Sequence, residues 1–168
     1  MIVWTLFAAS LVQQPAPAAP DFTQLWVFAT LERDPAWEGL TRIRVGTFDG
    51  IEASAGVTYW FQREVEDDED RLTNKAWTSS ALCPAALPVL RRLERLSMPH
   101  PDVPGYKRNH GVIVMDGTRH RLSGISRHPD GQPGDYSIES NNGTPLARWS
   151  DALSHALERC WSLLAALD

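Results

Sequence analysis

The alternation of apolar and polar residues predicts that the first half of the chain, after an apolar N-terminal segment, forms a β-sheet. Residues 24–32 (QLWVFATLE) and 41–48 (TRIRVGTF) are rich in aromatic and β-branched residues. Residues 56–66 have the clearest period of two, which predicts a strand with one apolar and one polar face. The apolar face carries Val57, Tyr59, Phe61 and Val65, and the polar face Thr58, Trp60, Gln62 and Glu64.

Residues 71–79 follow an acidic cluster at 67–70 and are expected to return as the second arm of a hairpin. Matching polarity across the hairpin predicts a four-residue tip. This register pairs Glu66 with Arg71, Val65 with Leu72, Glu64 with Thr73, Gln62 with Lys75 and Trp60 with Trp77. We interpret the acidic cluster as solvated charge, because a calcium loop spaces its ligands at alternate positions and needs a glycine.

The second half of the chain has the helical period in two segments. Residues 84–97 predict a first helix, although Pro88 favours regular helix only from about that residue. Thr144 or Ser150 can cap a second helix that runs towards the C-terminus. Its apolar stripe comprises Leu146, Trp149, Leu153, Ala156, Cys160, Leu164 and Leu167.

Between these helices, residues 110–123 read as a hairpin around Asp116-Gly117, the pair that a type I′ turn favours. This register places Ile113 opposite His120, and a short strand follows at 136–139. Together the elements predict an α+β fold, with a mostly antiparallel sheet of five or six strands and two helices packed on one face. We expect a single domain over residues 19–168.

The first 18 residues resemble a secretory signal peptide. An apolar run from Ile2 to Val12 is followed by Pro and Ala, and Ala16-Pro17-Ala18 supplies a small-x-small cleavage site. The n-region lacks Lys and Arg, so the alternative interpretation is a buried N-terminal strand or a flexible tail. This eleven-residue segment is too short to span a bilayer, which needs about 20 residues. The leader predicts a periplasmic or secreted protein.

Export would place Cys83 and Cys160, the two cysteines of the chain, in an oxidising compartment. We predict a disulfide between them, because two helices on one face of a sheet can bring them together. Two separately buried thiols are the alternative. A nucleophilic cysteine is the least favoured interpretation, because a catalytic cysteine needs a positioned histidine and no local motif supplies one.

Charge and motif content argue against several functions. The formal net charge is −5 and the basic residues are scattered, so we expect no nucleic-acid partner. The sequence contains no phosphate-binding glycine loop and no G-x-S-x-G motif, and we expect no cofactor. The histidines are not at zinc-ligand spacing, so we also expect no metal site. They are His100, His110, His120, His128 and His155.

Trp60 and Trp77 are the candidate binding residues, because they fall on the more polar face of their hairpin. If helices cover only the other face, the pair is an exposed aromatic patch suited to a protein or a glycan. The alternative is that another segment, such as the loop at Trp37, covers it. The leading hypothesis is a non-catalytic envelope or secreted binding protein of the inhibitor or immunity type. A small secreted hydrolase, whose site would assemble only in three dimensions, and a structural envelope component are the alternatives.

Overall fold

The computed structural model describes residues 18–36, 39–48, 56–97, 117–127 and 130–164, and it has an α+β fold. The strands are β1 (Trp26–Asp34), β2 (Thr41–Thr47), β3 (Trp60–Glu66), β4 (Leu72–Ser79), β5 (Arg119–Arg127), β6 (Pro133–Ser140) and β7 (Ser162–Leu163). The helices are α1 (Ala86–Arg91) and α2 (Pro145–Leu157), and short 3-10 turns lie at Phe22–Gln24 and Arg92–Arg95. The predicted leader falls outside the described residues except for Ala18.

All seven strands form one antiparallel sheet in the order β6-β5-β1-β2-β3-β4-β7. The antiparallel α+β architecture predicted from the sequence is therefore confirmed, with a somewhat larger sheet. We call the side of the sheet that carries α1 and α2 the helix face, and the other side the open face. On the helix face, sheet and helix side chains form one buried cluster that includes Leu31, Phe61, Leu122, Leu90, Leu153 and Leu157.

Both helices are shorter than the sequence predicted. Regular helix in α1 begins at Ala86, because Pro88 lies in the first turn, where a backbone N–H has no intrahelical acceptor to lose. Thr144 caps α2 by accepting the N–H of Ala147 at 3.1 Å, as expected, and Pro145 is the first helical residue. The helix ends at Leu157, however, and Ser162 pairs with Trp77 of β4.

The β3–β4 hairpin keeps the predicted faces, but its register was predicted wrongly by two residues. Glu64 lies opposite Lys75, and Trp60 lies opposite Ser79. The tip is shorter than predicted, because the N–H of Asp67 donates to the carbonyl of Arg71. A bulge then shifts the register between Val65 and Glu66. Each change moves the register by one residue, so the two together preserve the side-chain alternation.

The predicted hairpin over residues 110–123 was wrong as well. His120 pairs with Arg33 on β1 and with Ser140 on β6. A strand has only two edges, so no third segment can pair with β5 at this residue. Ile113, the predicted partner of His120, lies outside the described residues.

The predicted bond between Cys83 and Cys160 is confirmed. The two residues form a disulfide, and their Cα atoms are 5.7 Å apart. Cys83 precedes α1 and Cys160 follows α2, so the bond links the N-terminal end of α1 to the C-terminal end of α2. A disulfide is compatible with an extracellular protein. Among the described helices, none is both long and apolar enough to cross a bilayer.

Candidate binding groove

Trp60 and Trp77 lie on the open face, as their strand positions predicted. Their rings stack with centroids 5.7 Å apart, although the register makes them diagonal rather than direct neighbours. Phe22 contacts both rings, at centroid distances of 6.5 Å from Trp60 and 6.3 Å from Trp77. Trp77 is only 2% exposed. The pair is therefore partly covered, and contact through Trp77 would require the Phe22 turn to move.

Among the described residues, the segment at Phe22 covers part of the pair. The 3-10 turn at Phe22–Gln24 is held by Asp21, whose carboxylate accepts the backbone N–H of Thr23 at 3.0 Å and its hydroxyl at 2.7 Å. These hydrogen bonds lower the pKa of the Asp21 carboxyl. Trp37 lies outside the described residues. Binding through the Trp60/Trp77 pair stays a prediction, restricted to the accessible part of Trp60.

A buried polar cluster lies between β5 and α2. Nδ1 of His120 is 2.9 Å from Oγ of Ser150, and Nε2 is 3.4 Å from Oδ1 of Asn142. Burial lowers the pKa of His120, which favours the neutral imidazole. The pair has the distance of a nucleophile and its base, but His120 and Ser150 are both 0% exposed. A substrate could not reach Ser150 Oγ, so the arrangement serves packing.

The open face carries a row of alternating charges across six strands. In the direction from β6 to β4 the row reads Glu139, Arg121, Glu32, Arg42, Glu64 and Lys75. Each two adjacent residues in this row form an ion pair, with nitrogen–oxygen distances of 2.9, 3.5, 3.0, 3.7 and 3.1 Å in the same order. The charges compensate one another, so the row favours a solvated sheet face over a binding site for a strongly charged ligand.

The helix face holds a larger site, a groove between α1 with its following 3-10 turn and the β5–β6 hairpin. Its volume is about 1000 Å³, within the usual range of ligand-binding clefts. The side chains that line it are mostly apolar or aromatic. They include Phe28, Tyr59, Leu90, Leu93, Ile125, Tyr136 and Ile138.

Aromatic rings form one wall of this groove. Phe28 packs edge-to-face against Tyr59, with ring centroids 6.0 Å apart, and the Trp26 ring centroid also lies 6.0 Å from that of Phe28. Burial raises the pKa of the Tyr136 hydroxyl, which therefore stays neutral at physiological pH. Ile125 is 41% exposed although it lines the groove. An accessible apolar side chain in a concave aromatic site is typical of a binding surface.

A bulge in β1 positions Phe28. The pairing with β2 shifts between Val27 and Ala29, so Phe28 is the extra residue of its strand. Its ring packs against the helix-face core. On the neighbouring strand, Gly124 lies so close that a Cβ there would overlap the carbonyl oxygen of Phe28. Glycine at this position is what allows the two backbones to approach.

An edge strand lies beside the groove. Within the described chain, β6 pairs only with β5, over eight consecutive positions without a bulge. The opposite edge of the sheet is β7, which has two residues. The side chains of Tyr136 and Ile138 on β6 line the groove. The unpaired backbone edge and the aromatic groove are therefore adjacent.

Charged groups of both signs surround the groove. Arg91 and Glu94 lie on the helix side, and Arg127 and Glu139 lie on the strand side. Among the described residues, no group of three or more His, Cys, Asp or Glu side chains is placed to hold a metal ion. His100, His110 and His128 lie outside those residues.

Sequence reasoning missed this groove, although it placed several lining residues correctly. Tyr59 was expected on the apolar face, and Tyr136 on a short strand. The signal that could have found the groove was an excess of aromatic residues at one end of the helix face. A first helix with apolar positions only at Leu90, Leu93 and Leu96 cannot cover all of them.

Comparison of the chain with protein-family models, with curated proteins and with solved structures finds no match.

Proposed function

We propose that this protein is an exported, non-catalytic binding protein of the inhibitor or immunity type, acting in the periplasm or as a secreted protein. The observation that supports this best is the aromatic groove beside the unpaired edge of β6. The proposed occupant is an extended, apolar segment of a partner protein. It would add to the sheet next to β6, a mode of recognition known as β-augmentation.

The backbone edge of β6 would supply affinity without regard to sequence. An edge strand presents unpaired N–H and C=O groups, which an added strand can satisfy. Eight regularly paired residues give room for a segment of ordinary strand length. The opposite edge strand, β7, has only two residues and is too short to pair with such a segment, so we expect the partner at β6.

The groove would supply specificity. Side chains of a strand alternate between faces, so every second residue of the added segment would point to the helix face. There it would meet Tyr136, Ile138 and the aromatic wall at Phe28. An apolar centre with a rim of mixed charge, here Arg127 and Glu94, is the usual anatomy of a protein interface.

The disulfide supports the proposed compartment, because such bonds persist outside the reducing cytoplasm. The signal-peptide pattern in residues 1–18 supports the same location. The hydrolase alternative gains no support from the described cavities, because neither His120 nor Ser150 lines one of them.

Site-specific photo-crosslinking in cells that export the protein tests the proposal. We would place p-benzoylphenylalanine at position 125, in the groove, and separately at position 163 on the opposite edge. Leu163 is 71% exposed and serves as the accessible control. We expect one defined protein adduct from position 125 only, crosslinked through an apolar segment identified by mass spectrometry.

A matched pair of variants shows whether the groove captures the adduct. Tyr136→Ala removes a groove ring, whereas Ser123→Ala changes a residue of β5 that does not line the groove and whose side chain points to the open face. We expect the adduct to fall at least fivefold with the first variant and to persist with the second. Equal adducts from positions 125 and 163 would contradict the proposal. So would the absence of a protein adduct together with Tyr136-dependent binding of a polysaccharide, which would indicate a glycan ligand.

A further inference from the structure

A second cavity on the helix face, at the end opposite the aromatic groove, contains an arginine that has no carboxylate partner within the part of the chain that the structure describes. The cavity has a volume of about 350 Å³ and lies between the sheet and the C-terminal half of α2. Residues that can donate hydrogen bonds into it are Arg33, Thr41, Arg63, Ser154 and His155, and the ring of Trp161 forms part of its wall. We propose that this cavity binds a carboxylate group, with Arg63 as its principal ligand.

Arg63 lies on β3 with its side chain on the helix face, opposite Ala76 of β4. Nη2 donates to Oδ1 of Asn74 at 3.0 Å, and the guanidinium carbon lies 4.8 Å from the centre of the Trp161 ring. Among the described residues, no carboxylate oxygen lies within ion-pair distance of Arg63. An arginine in this position is unusual, because charged groups on the core side of a sheet are normally paired.

The Nε atom of Arg63 is buried, and the described residues offer it no hydrogen-bond acceptor. A buried donor without a partner is costly, and such groups are rare in native proteins. Burial also lowers the pKa of the guanidinium, which reflects the same unfavourable environment for the charge. An anion bound in the cavity would compensate the charge.

The acidic residues of the cavity already have partners of their own. Oδ1 of Asp151 lies 3.7 Å from Nε of Arg33, and Oε2 of Glu158 lies 3.5 Å from Nδ1 of His155. Neither carboxylate lies within ion-pair distance of Arg63, so its guanidinium is the cation of the cavity that has no carboxylate partner among the described residues. The same two carboxylates would repel a dianion such as phosphate. A compact anion with one negative charge fits this arrangement.

A carboxylate has the geometry that a guanidinium binds best, because two oxygens in one plane match the planar N–H groups of arginine. The hydroxyls of Thr41 and Ser154 are further donors in the cavity. Trp161 offers an apolar wall for the rest of the ligand. The carboxylate can belong to a small organic acid or to the C-terminus of a peptide, and the experiment distinguishes these sources.

The test uses isothermal titration of the oxidised, full-length protein with acetate at constant ionic strength, with chloride as the reference salt. A second titration compares N-acetyl-glycyl-leucine with its C-terminal amide. We expect saturable binding of acetate or of the peptide acid, and at least tenfold weaker binding of the amide. Binding of both acids indicates a small-acid source, and binding of the peptide acid alone indicates a C-terminus.

Two variants connect the binding to the unpaired arginine. Arg63→Met removes the uncompensated charge and retains an apolar stem, so we expect it to fold and to weaken acid binding at least tenfold. Arg44→Met is the control, because Arg44 lies on the open face in an ion pair with Glu64. We expect its affinity to change less than twofold. Equal binding by wild type and Arg63→Met, equal binding of the acid and the amide, or no saturable binding of either acid would overturn the proposal. None of these measurements involves the groove beside β6, so the two proposals are tested separately.

Discussion

Gly124 on β5 lies directly against the backbone of Phe28 on β1. A Cβ at residue 124 would overlap the Phe28 carbonyl oxygen and come within 3.1 Å of Ala29 Cα. These contacts are backbone atoms inside a sheet, which cannot rotate away as a side-chain end can. The bulge that directs the Phe28 side chain into the groove therefore depends on glycine at position 124 of the neighbouring strand.

Gly124→Ala is expected to lower the free energy of unfolding by about 1–3 kcal/mol, because the added methyl group overpacks the β1–β5 pair. It should also displace the Phe28 ring and weaken any ligand of the groove. Denaturant unfolding monitored by circular dichroism measures the stability. Ser123→Ala, on the adjacent residue, is the control and should change it by less than about 0.5 kcal/mol. Equal effects of the two variants would show that the close approach does not matter.

Loss of the disulfide is expected to be among the most costly single changes. The bond closes a loop with a sequence separation of 77 residues. In the chain-entropy treatment, this restriction of the unfolded chain is worth about 4 kcal/mol. We expect Cys83→Ser with Cys160→Ser to lower the free energy of unfolding by about 2–5 kcal/mol. Dithiothreitol should destabilise the wild type to the same extent and leave the double variant unchanged.

His120 should make the stability depend on pH. Its pKa in the folded protein is below the ordinary value of 6.5, so the unfolded chain binds the proton more readily. The free energy of unfolding should therefore fall as the pH drops below about 6.5. This loss should be complete once the pH is below the pKa that His120 has in the folded protein. His120→Gln lacks this titration. We expect the difference in unfolding free energy between wild type and variant to change between pH 8 and pH 5, and a constant difference would contradict this.

Arg42 is the central cation of the charge row on the open face. Its guanidinium lies 3.0 Å from Glu32, 3.7 Å from Glu64 and 3.1 Å from Glu66, and the hydrogen bond that it donates to Glu32 raises its pKa. Arg42→Leu would leave three partly buried carboxylates with fewer partners, at an expected cost of about 1–2 kcal/mol.

Salt distinguishes this electrostatic effect from lost packing. Raising the ionic strength to 1 M should reduce the loss caused by Arg42→Leu, because screening weakens the repulsion between the remaining carboxylates. Arg71→Leu is the control at the hairpin tip, where Arg71 is 66% exposed in its ion pairs. We expect a change below about 1 kcal/mol for it. A loss that does not respond to salt would indicate packing as the cause.

Phe22 should control the environment of the Trp60/Trp77 pair. Phe22→Ala removes the ring that contacts both indoles, so water should reach them. We expect a red shift of the tryptophan emission maximum and a loss of about 1–3 kcal/mol in stability. Thr23→Ala, in the same turn, should not shift the emission. An unchanged spectrum for Phe22→Ala would show that the turn does not protect the pair.

The hydrophobic pattern of the chain determined most of the secondary structure. The period of two over residues 56–66 predicted the faces of β3 correctly, because alternation along a strand is a local property. Thr144 and Pro145 marked the start of α2 for the same reason, since a cap acts within one turn. The pairing of Cys83 with Cys160 also followed, from two helices on one face in a chain with two cysteines.

Tertiary structure decided what those local patterns could not. The register of β3 and β4 depends on a short tip and a bulge, and the shift of two residues leaves every face unchanged, so polarity does not reveal it. The helical period of α2 continues to Leu164, yet the chain turns after Leu157, where Ser162 pairs with β4. The groove, the ion-pair row and the unpaired Arg63 join residues that are distant in sequence. Their geometry arises only when the strands take their order in the sheet, because each depends on side chains that meet across strands rather than along one.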